Sequence, residues 1–233
     1  MKSILIIGMG KFGHYICDEL LSYGNNVMIV DKDESRVADM IYKVTNVQIG
    51  DCTDPAVVKS LGVKNFDLVL VCIGTNFQSS LEVTWLVKEE GAKYVVSKAN
   101  KDVHARFLLR NGADEIIYPD RDIAERLARS YTADSIFDYI ELDDGYSIYE
   151  IAVLPEWVGH SLRELDLRRR HEINVVGIKQ DGKMNIVPPV DYNFTAEDRM
   201  MIVGSDKSVA KLLHLKEQNL DKDQFWKKGR KRI

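Results

Sequence analysis

The chain has 233 residues, 45% of them hydrophobic and 29% charged, with a formal net charge of −4. That apolar content fills one good-sized core or two modest ones, no apolar run approaches the roughly 18–20 residues that span a bilayer, and the negative balance gives a nucleic-acid partner no help. One Lys before a short, glycine-broken "ILIIGMG" does not make a secretory signal, and three scattered cysteines (Cys17, Cys52, Cys72) without metal-ligand spacing suit a reducing cytosol.

In chain order, the first half repeats one pattern: apolar run, turn, amphipathic stretch, glycine. The apolar runs predict strands over 3–7, 27–30, 46–49, 68–72, 94–97 and 115–117. They are short, rich in Val and Ile, and do not alternate with polar residues, which is how strands covered on both faces read. Phe12, Ile16, Leu20 and Tyr23 recur at three- and four-residue spacing, predicting a helix with one apolar face. Gly24 follows as the left-handed residue that closes it, and Gly62, Gly91 and Gly112 close the next three amphipathic stretches. Helix, glycine and strand in repetition predict an α/β domain over 1–135, a doubly wound parallel sheet of the Rossmann-like kind. Residues 120–130 read as a helix connecting it to the second half of the chain.

After about residue 135 the pattern changes. "FDYIELDDGYSIYEIAVLP" predicts two strands turning at Asp144-Gly145, and "INVVGIKQDGKMNIVPP" repeats the signal at Asp181-Gly182. "RMMIVG" adds a strand and "DKSVAKLLHL" a closing helix, so 136–216 is expected to form a second, smaller α+β domain. The remainder, 217–233, ends in "KKGRKR" and reads first as a solvated, flexible basic tail. Beside Trp226 the same cations suit contact with anionic lipid or an acidic partner face.

The densest chemistry lies at Gly8-Met9-Gly10-Lys11-Phe12-Gly13, between the first strand and the first helix. Gly8 permits a tight turn, Gly10 lets backbone approach phosphates, and Gly13 lets the helix pack on the sheet. The helix start offers free N–H groups and partial positive charge to an anion, and Lys11 adds a cation. Asp31, ending the second strand, is placed to accept hydrogen bonds from ribose hydroxyls and to repel a 2′-phosphate. Two further strand ends face the same crevice: Asp51, Cys52 and Thr53 in "GDCTD", and Ile73, Gly74 and Thr75 in "CIGTNFQSS". Asp54 before Pro55 reads as a helix cap rather than a ligand contact. The five histidines form no cluster in sequence, and nothing marks a triad, a metal set or a general base, so no enzyme is expected. The rival reading is a small NAD-dependent oxidoreductase.

Together "GMGKFG", Asp31, "GDCTD", "IGTNFQSS", "SKAN" and "GADEIIYPDRDIAERLA" resemble RCK regulatory proteins, the cytosolic gating subunits of Ktr/Trk-type potassium uptake systems. The resemblance continues through "GHSLRELDLRRRHEINVVGIKQDG" and "FTAEDRMMIVG", covering about residues 3–215, with one copy of each lobe as in the single-unit Ktr type. It implies ATP or ADP, with NAD(H) in some relatives, cradled by Gly8, Gly10, Lys11 and Gly13. It also implies Lys98 near the nucleotide and Asp120 helping to hold a divalent or monovalent cation at the phosphates between two subunits. Lys11 stands where relatives often carry Arg, which loses a bidentate phosphate grip; Asp120 stands for a Glu one methylene longer. The resemblance further implies an octameric homo-oligomeric ring at the inner face of the cell membrane, docked on an integral-membrane potassium transporter subunit.

In the second half, Ser161-Leu162-Arg163-Glu164 is a capping box, and Arg168–Arg170 are expected near the end of that short helix, where cations suit the dipole. The resemblance adds cyclic di-AMP at this stretch, with Leu162, Arg163, Leu165, Asp166 and Arg168 as the matching residues and the two arginines as phosphate partners.

Overall fold

The computed structural model describes residues 1–132, 136–143 and 145–213. Asp144 of the first expected turn, His214, Trp226 and the tail at 217–233 lie outside the described residues. The chain forms two compact units, Met1–Asp122 and Ile123–Ile233.

The first unit runs β1 (Ser3–Ile7), α1 (Lys11–Ser22), β2 (Asn26–Asp31), β3 (Asn46–Ile49), α2 (Pro55–Leu61), β4 (Leu68–Val71), α3 (Phe77–Glu89), β5 (Val95–Lys98), α4 (Asp102–Arg110) and β6 (Glu115–Ile117). Helix α5 (Pro119–Thr132) begins in this unit and runs on along the chain into the next. The six strands form one sheet in the order β3-β2-β1-β4-β5-β6, every pair parallel. Unbroken apolar runs are explained by burial on both faces. Leu5 and Ile7 of β1 pack with Val69, Val71, Val83 and Leu86 on one side, while Ile4 and Ile6 pack with Cys17, Ile29, Met40 and Leu70 on the other. Each such fully buried Ile or Leu contributes about 1.5–3 kcal/mol relative to exposure.

All four closing glycines adopt the left-handed backbone expected of them: Gly24 at φ 75°, Gly62 at 62°, Gly91 at 85° and Gly112 at 100°. The apolar face of α1 differs in one member. Phe12, Ile16 and Leu20 pack on the core, but Tyr23 follows the helix and is 80% exposed; Gly13 and Cys17 are the buried residues instead. Spacing predicts a stripe one residue too long because the chain leaves helical geometry at Tyr23. Between β2 and β3 the connection is not a helix but two 3-10 turns, Glu34–Arg36 and Ala38–Met40.

The second unit contains β7 (Ile136–Asp143), β8 (Tyr146–Ala152), α6 (Leu162–Leu165), α7 (Leu167–His171), β9 (Ile173–Gln180), β10 (Lys183–Asn185), β11 (Arg199–Ser205) and α8 (Asp206–Leu212). Its strands form an antiparallel sheet in the order β10-β9-β11-β8-β7. Asp181 (φ 48°) and Gly182 (φ 76°) both take positive φ, the turn that matches strand twist in a two-residue hairpin. Tyr149, Ile151, Trp157, Phe194, Met200 and Ile202 fill the core.

The capping box forms: Ser161 N–H donates to Glu164 Oε2 at 2.8 Å and Glu164 N–H to Ser161 Oγ at 3.3 Å. The three arginines, however, do not belong to the capped helix. Asp166 adopts φ 41° and ends α6 after one turn, and Arg168, Arg169 and Arg170 sit on the separate α7. A left-handed break at an aspartate between two leucines carries no glycine to announce it.

Candidate functional site

A cleft of about 640 Å³ opens in the first unit at the carboxyl ends of the strands. In this strand order the chain direction of travel reverses between β1 and β4, which is where open parallel sheets take ligands. Gly8, Gly10, Lys11, Phe12, Asp31, Asp51, Cys52, Ile73, Gly74, Thr75, Lys98 and Asp120 all line the cleft.

Three expected residues do not line it, each for a visible reason. The Met9 side chain is 1% exposed in the core, and its amide donates to Asp31 Oδ2 at 2.7 Å. Gly13 lies beneath: a Cβ there would fall 2.3 Å from Gly8 O, so only glycine lets α1 approach the β1 turn this closely. Thr53 turns to Asp51, giving Oδ1 both its N–H at 3.0 Å and its hydroxyl at 2.8 Å. Asp54 caps α2, accepting from Ala56 N–H at 2.8 Å with Pro55 at the first helical position.

Gly8 takes φ 98°, and a Cβ there would fall 3.2 Å from the backbone of Cys72 and Ile73, so the glycine lets the turn close on the end of β4. A Cβ on Gly10 would meet nothing within 4 Å, so that glycine leaves backbone bare toward the cleft. The Asp31 carboxylate is 7% exposed and holds the loop ends together, since Oδ1 also accepts Asp33 N–H at 3.0 Å. Each oxygen retains a further lone pair for a sugar hydroxyl.

Four basic side chains (Lys11, Lys32, Arg36, Lys98) and four acidic ones (Asp31, Asp33, Asp51, Asp120) line the cleft, and they are unevenly distributed. Around the end of β2, Arg36 lies 3.4 Å from Asp33 and 3.9 Å from Asp31, and Lys32 lies 3.5 Å from Asp51. Hydrogen bonds from Ser35, side chain before backbone, hold the Asp33 carboxyl below its ordinary range. Those from Thr53, backbone before side chain, do the same for Asp51. Toward the glycine turn, Lys11 makes no ion pair among the described residues. Lys98 is 15% exposed, with Nζ 5.7 Å from the Phe12 ring centre and 3.7 Å from Asp120 Oδ2. Gly74 makes room for it: a Cβ there would press on Lys98 Cε at 3.3 Å. Burial pushes the Cys52 and Cys72 thiols up to about 12, so both are neutral wall.

Lys32, Asp33, Arg36, Asn76, Ser79 and Asn100 also line the cleft, outside the set that the sequence marks. Asn76 announces itself only as the cap of α3, accepting from Ser79 N–H at 3.1 Å, and Asn100 donates to the Gly74 carbonyl. Lys32, Asp33 and Arg36 carry a faint signal, the alternating charges of "DKDESR". No group of three or more His, Cys, Asp or Glu that would hold a metal gathers among the described residues.

In the second unit, the five residues that the resemblance marks for cyclic di-AMP lie along α6, α7 and the break between them. Leu165 is buried and Leu162 packs on the same core, Asp166 is the left-handed break, and Arg163 Nε lies 3.0 Å from Asp191. Arg168 is exposed on α7.

Comparison with known proteins agrees with this architecture. Residues 4–119 match the TrkA-N domain and 147–216 the TrkA-C domain. The Ktr system potassium uptake protein C of Bacillus subtilis is 36% identical over 92% of this chain and 99% of its own length. Protein A of the same organism's Ktr system is 32% identical, over 89% and 94%. Among solved structures, the GsuK channel superposes with a TM-score of 0.66 at 19% identity over 92% of this chain, and a GsuK channel bound to NAD with 0.64 at 18%. The chain spans about two-fifths of those channel chains (39%). The chain therefore belongs to the Ktr potassium-uptake family, as a regulatory protein built from one TrkA-N and one TrkA-C domain.

Proposed function

We propose that the first unit binds an adenine nucleotide, ATP or ADP, and that this occupancy regulates a separately encoded membrane potassium transporter. One observation carries the reading. A buried aspartate ending β2 and a bare glycine turn ending β1 face one cleft, which Lys11 beside that turn and Lys98 ending β5 also line. Asp31 receives the ribose, the Gly10 backbone and the start of α1 receive the first phosphates, and Lys11 and Lys98 neutralise the outer ones. NAD(H) is the second ligand to test, because a structural neighbour is a channel bound to NAD. The polar far end of the cleft (Asn76, Ser79, Lys98, Asn100) suits phosphates better than a nicotinamide ring.

The protein works as a switch rather than an enzyme, a reading supported by its similarity to the Ktr system potassium uptake proteins. No described helix is long and apolar enough to cross a membrane. By family resemblance, the protein acts from the cytoplasm, at the membrane's inner face. It assembles with further copies of itself, an octameric ring by family resemblance. Exposed Phe77 of α3 and exposed Val103 and Phe107 of α4 supply an apolar face for such assembly, the two Phe rings 5.9 Å apart. Cyclic di-AMP remains a ligand to test for the second unit, with exposed Arg168 as its phosphate partner.

Calorimetric titration of the full chain with ATP, ADP, AMP, NAD+ and NADH tests the nucleotide reading. Micromolar binding of ATP or ADP, lost in Asp31→Ala, is expected. No binding of any adenosine compound at millimolar concentration, with the fold intact, overturns it, and hydride transfer from bound NADH establishes the oxidoreductase instead.

A further inference from the structure

Two short helices of the second unit carry cations that the fold itself does not pair. Leu167 of α7 and Val209 and Leu212 of α8 enter one core, and the two helices pack against each other with their polar residues outward. Ser208 Oγ in the first turn of α8 donates to Glu172 Oε2, just past α7, at 3.3 Å. Among the described residues, the cations of this unit that form ion pairs are His160, Arg163, Lys179 and Arg199. Arg169 and Arg170 of α7 and Lys207 and Lys211 of α8 are exposed and belong to none of these pairs. Lys207 and Lys211, four residues apart, share one side of α8. Of the acids at these helix ends, Glu172 is engaged by Ser208, and Asp206 by the hydroxyls of Ser147 at 2.9 Å and Tyr149 at 2.7 Å. Asp166 stands at the far, N-terminal end of α7. Beyond α8 the sequence runs on to "FWKKGRKRI" at 225–233, where five cations and no acid lie between Phe225-Trp226 and Ile233. The match to the TrkA-C domain ends at residue 216, so this stretch lies outside it.

We propose that the outward residues of α7 and α8, together with the basic stretch 225–233, form a surface that binds the anionic headgroups of a lipid bilayer. Charge complementarity calls for a polyanion, and each Lys or Arg brought near an anionic bilayer strengthens binding by about fivefold. The apolar groups select the bilayer among polyanions. Phe225, Trp226 and Ile233 flank the cations, and Trp is a side chain that settles at headgroup level. The two halves of the surface act together, because one weak signal gives only reversible contact and stable attachment takes two. The whole chain carries a formal net charge of −4, so attraction is confined to this surface, and binding orients the second unit on the membrane. The choice of a bilayer rests on the membrane-side reading above; the exposed cations stand without it.

Cosedimentation of the full chain with vesicles tests this, using phosphatidylcholine alone and phosphatidylcholine mixed with phosphatidylglycerol, at low and high salt. Binding to the mixed vesicles is expected to be at least about tenfold tighter than to phosphatidylcholine, and to weaken as salt rises. Neutralising the basic stretch (Lys227→Gln, Lys228→Gln, Arg230→Gln, Lys231→Gln and Arg232→Gln together) should cost at least about tenfold. Neutralising the helices (Arg169→Gln, Arg170→Gln, Lys207→Gln and Lys211→Gln together) should cost at least about fivefold with the melting temperature unchanged. If that variant melts lower, Lys207→Gln with Lys211→Gln replaces it, and a loss of at least about threefold is expected. Trp226→Ala should weaken binding at both salt concentrations. Equal binding to the two kinds of vesicle, wild-type affinity in either neutralised chain, or no loss in Trp226→Ala overturns the proposal. Tighter binding to duplex DNA than to the mixed vesicles at the same salt overturns it in favour of a nucleic acid. The vesicles hold no transporter, so failure here is distinct from failure of the transporter reading, which is judged with the membrane partner present.

Discussion

A Cβ placed on Gly13 would lie 2.3 Å from the carbonyl oxygen of Gly8, whereas one placed on Gly10 would meet nothing within 4 Å. Two glycines of one motif are thus required by different things, the fold and the ligand. Gly13→Ala is expected to destabilise the chain by about 1–3 kcal/mol through overpacking, read as a lowered denaturation midpoint. Gly10→Ala is expected to leave that midpoint within about 0.5 kcal/mol and yet to weaken nucleotide binding, because its methyl occupies the face backbone presents to phosphate. Asp31 combines both duties. Asp31→Ala strands the Met9 and Asp33 amides and costs about 1–3 kcal/mol as well as affinity. His104 adds a pH dependence. It is 5% exposed, its ring 4.8 Å from Phe77 and its Nε2 without a hydrogen-bond partner, and burial lowers its pKa below the ordinary 6.5. The folded chain therefore binds this proton less readily than the unfolded chain. The stability His104 contributes is full above about pH 6.5 and is lost as pH falls toward its lowered value. Urea midpoints between pH 7.5 and 5.5 should fall less in His104→Leu than in wild type.

At the scale of elements, the signals that read correctly are those made within a few residues. Asp54-Pro55 caps α2 as its own chemistry dictates, and Asp181-Gly182 turns β9 into β10. Ser161→Ala removes one half of a capping box that closes a single-turn helix, and about 1 kcal/mol of stability should go with it in chemical denaturation. Backbone and hydroxyl donation from Ser161 hold the Glu164 carboxyl below its ordinary range, so the box should persist in mildly acidic solution. What the pattern could not show was the break at Asp166, which moves Arg168–Arg170 from one helix to another. A non-glycine residue at positive φ is held there by its surroundings: Leu165 before it and Leu167 after it are both buried, and one continuous helix would not turn both inward.

For the molecule as a whole, assembly is the property to test next. If copies associate through α3 and α4, Phe107→Asp, at a position 43% exposed, should shift the mass seen by light scattering toward smaller species without altering the melting temperature. An unchanged mass would place the contact elsewhere. The amino-acid sequence alone determined the strands, the closing glycines, the parallel character of the first sheet, the glycine turn and the acid at the end of β2. Those features arise from backbone preference and burial pattern, which act between residues close in the chain. Only the tertiary structure decided that Met9 serves Asp31 through its amide, that Thr53 turns away, and that Lys32 and Arg36 share the cleft. It also decided that Lys98 meets Asp120. Each of these depends on which strand ends lie side by side, and the order β3-β2-β1-β4-β5-β6 results from packing the whole sheet between its helices, a choice that no local stretch of sequence carries.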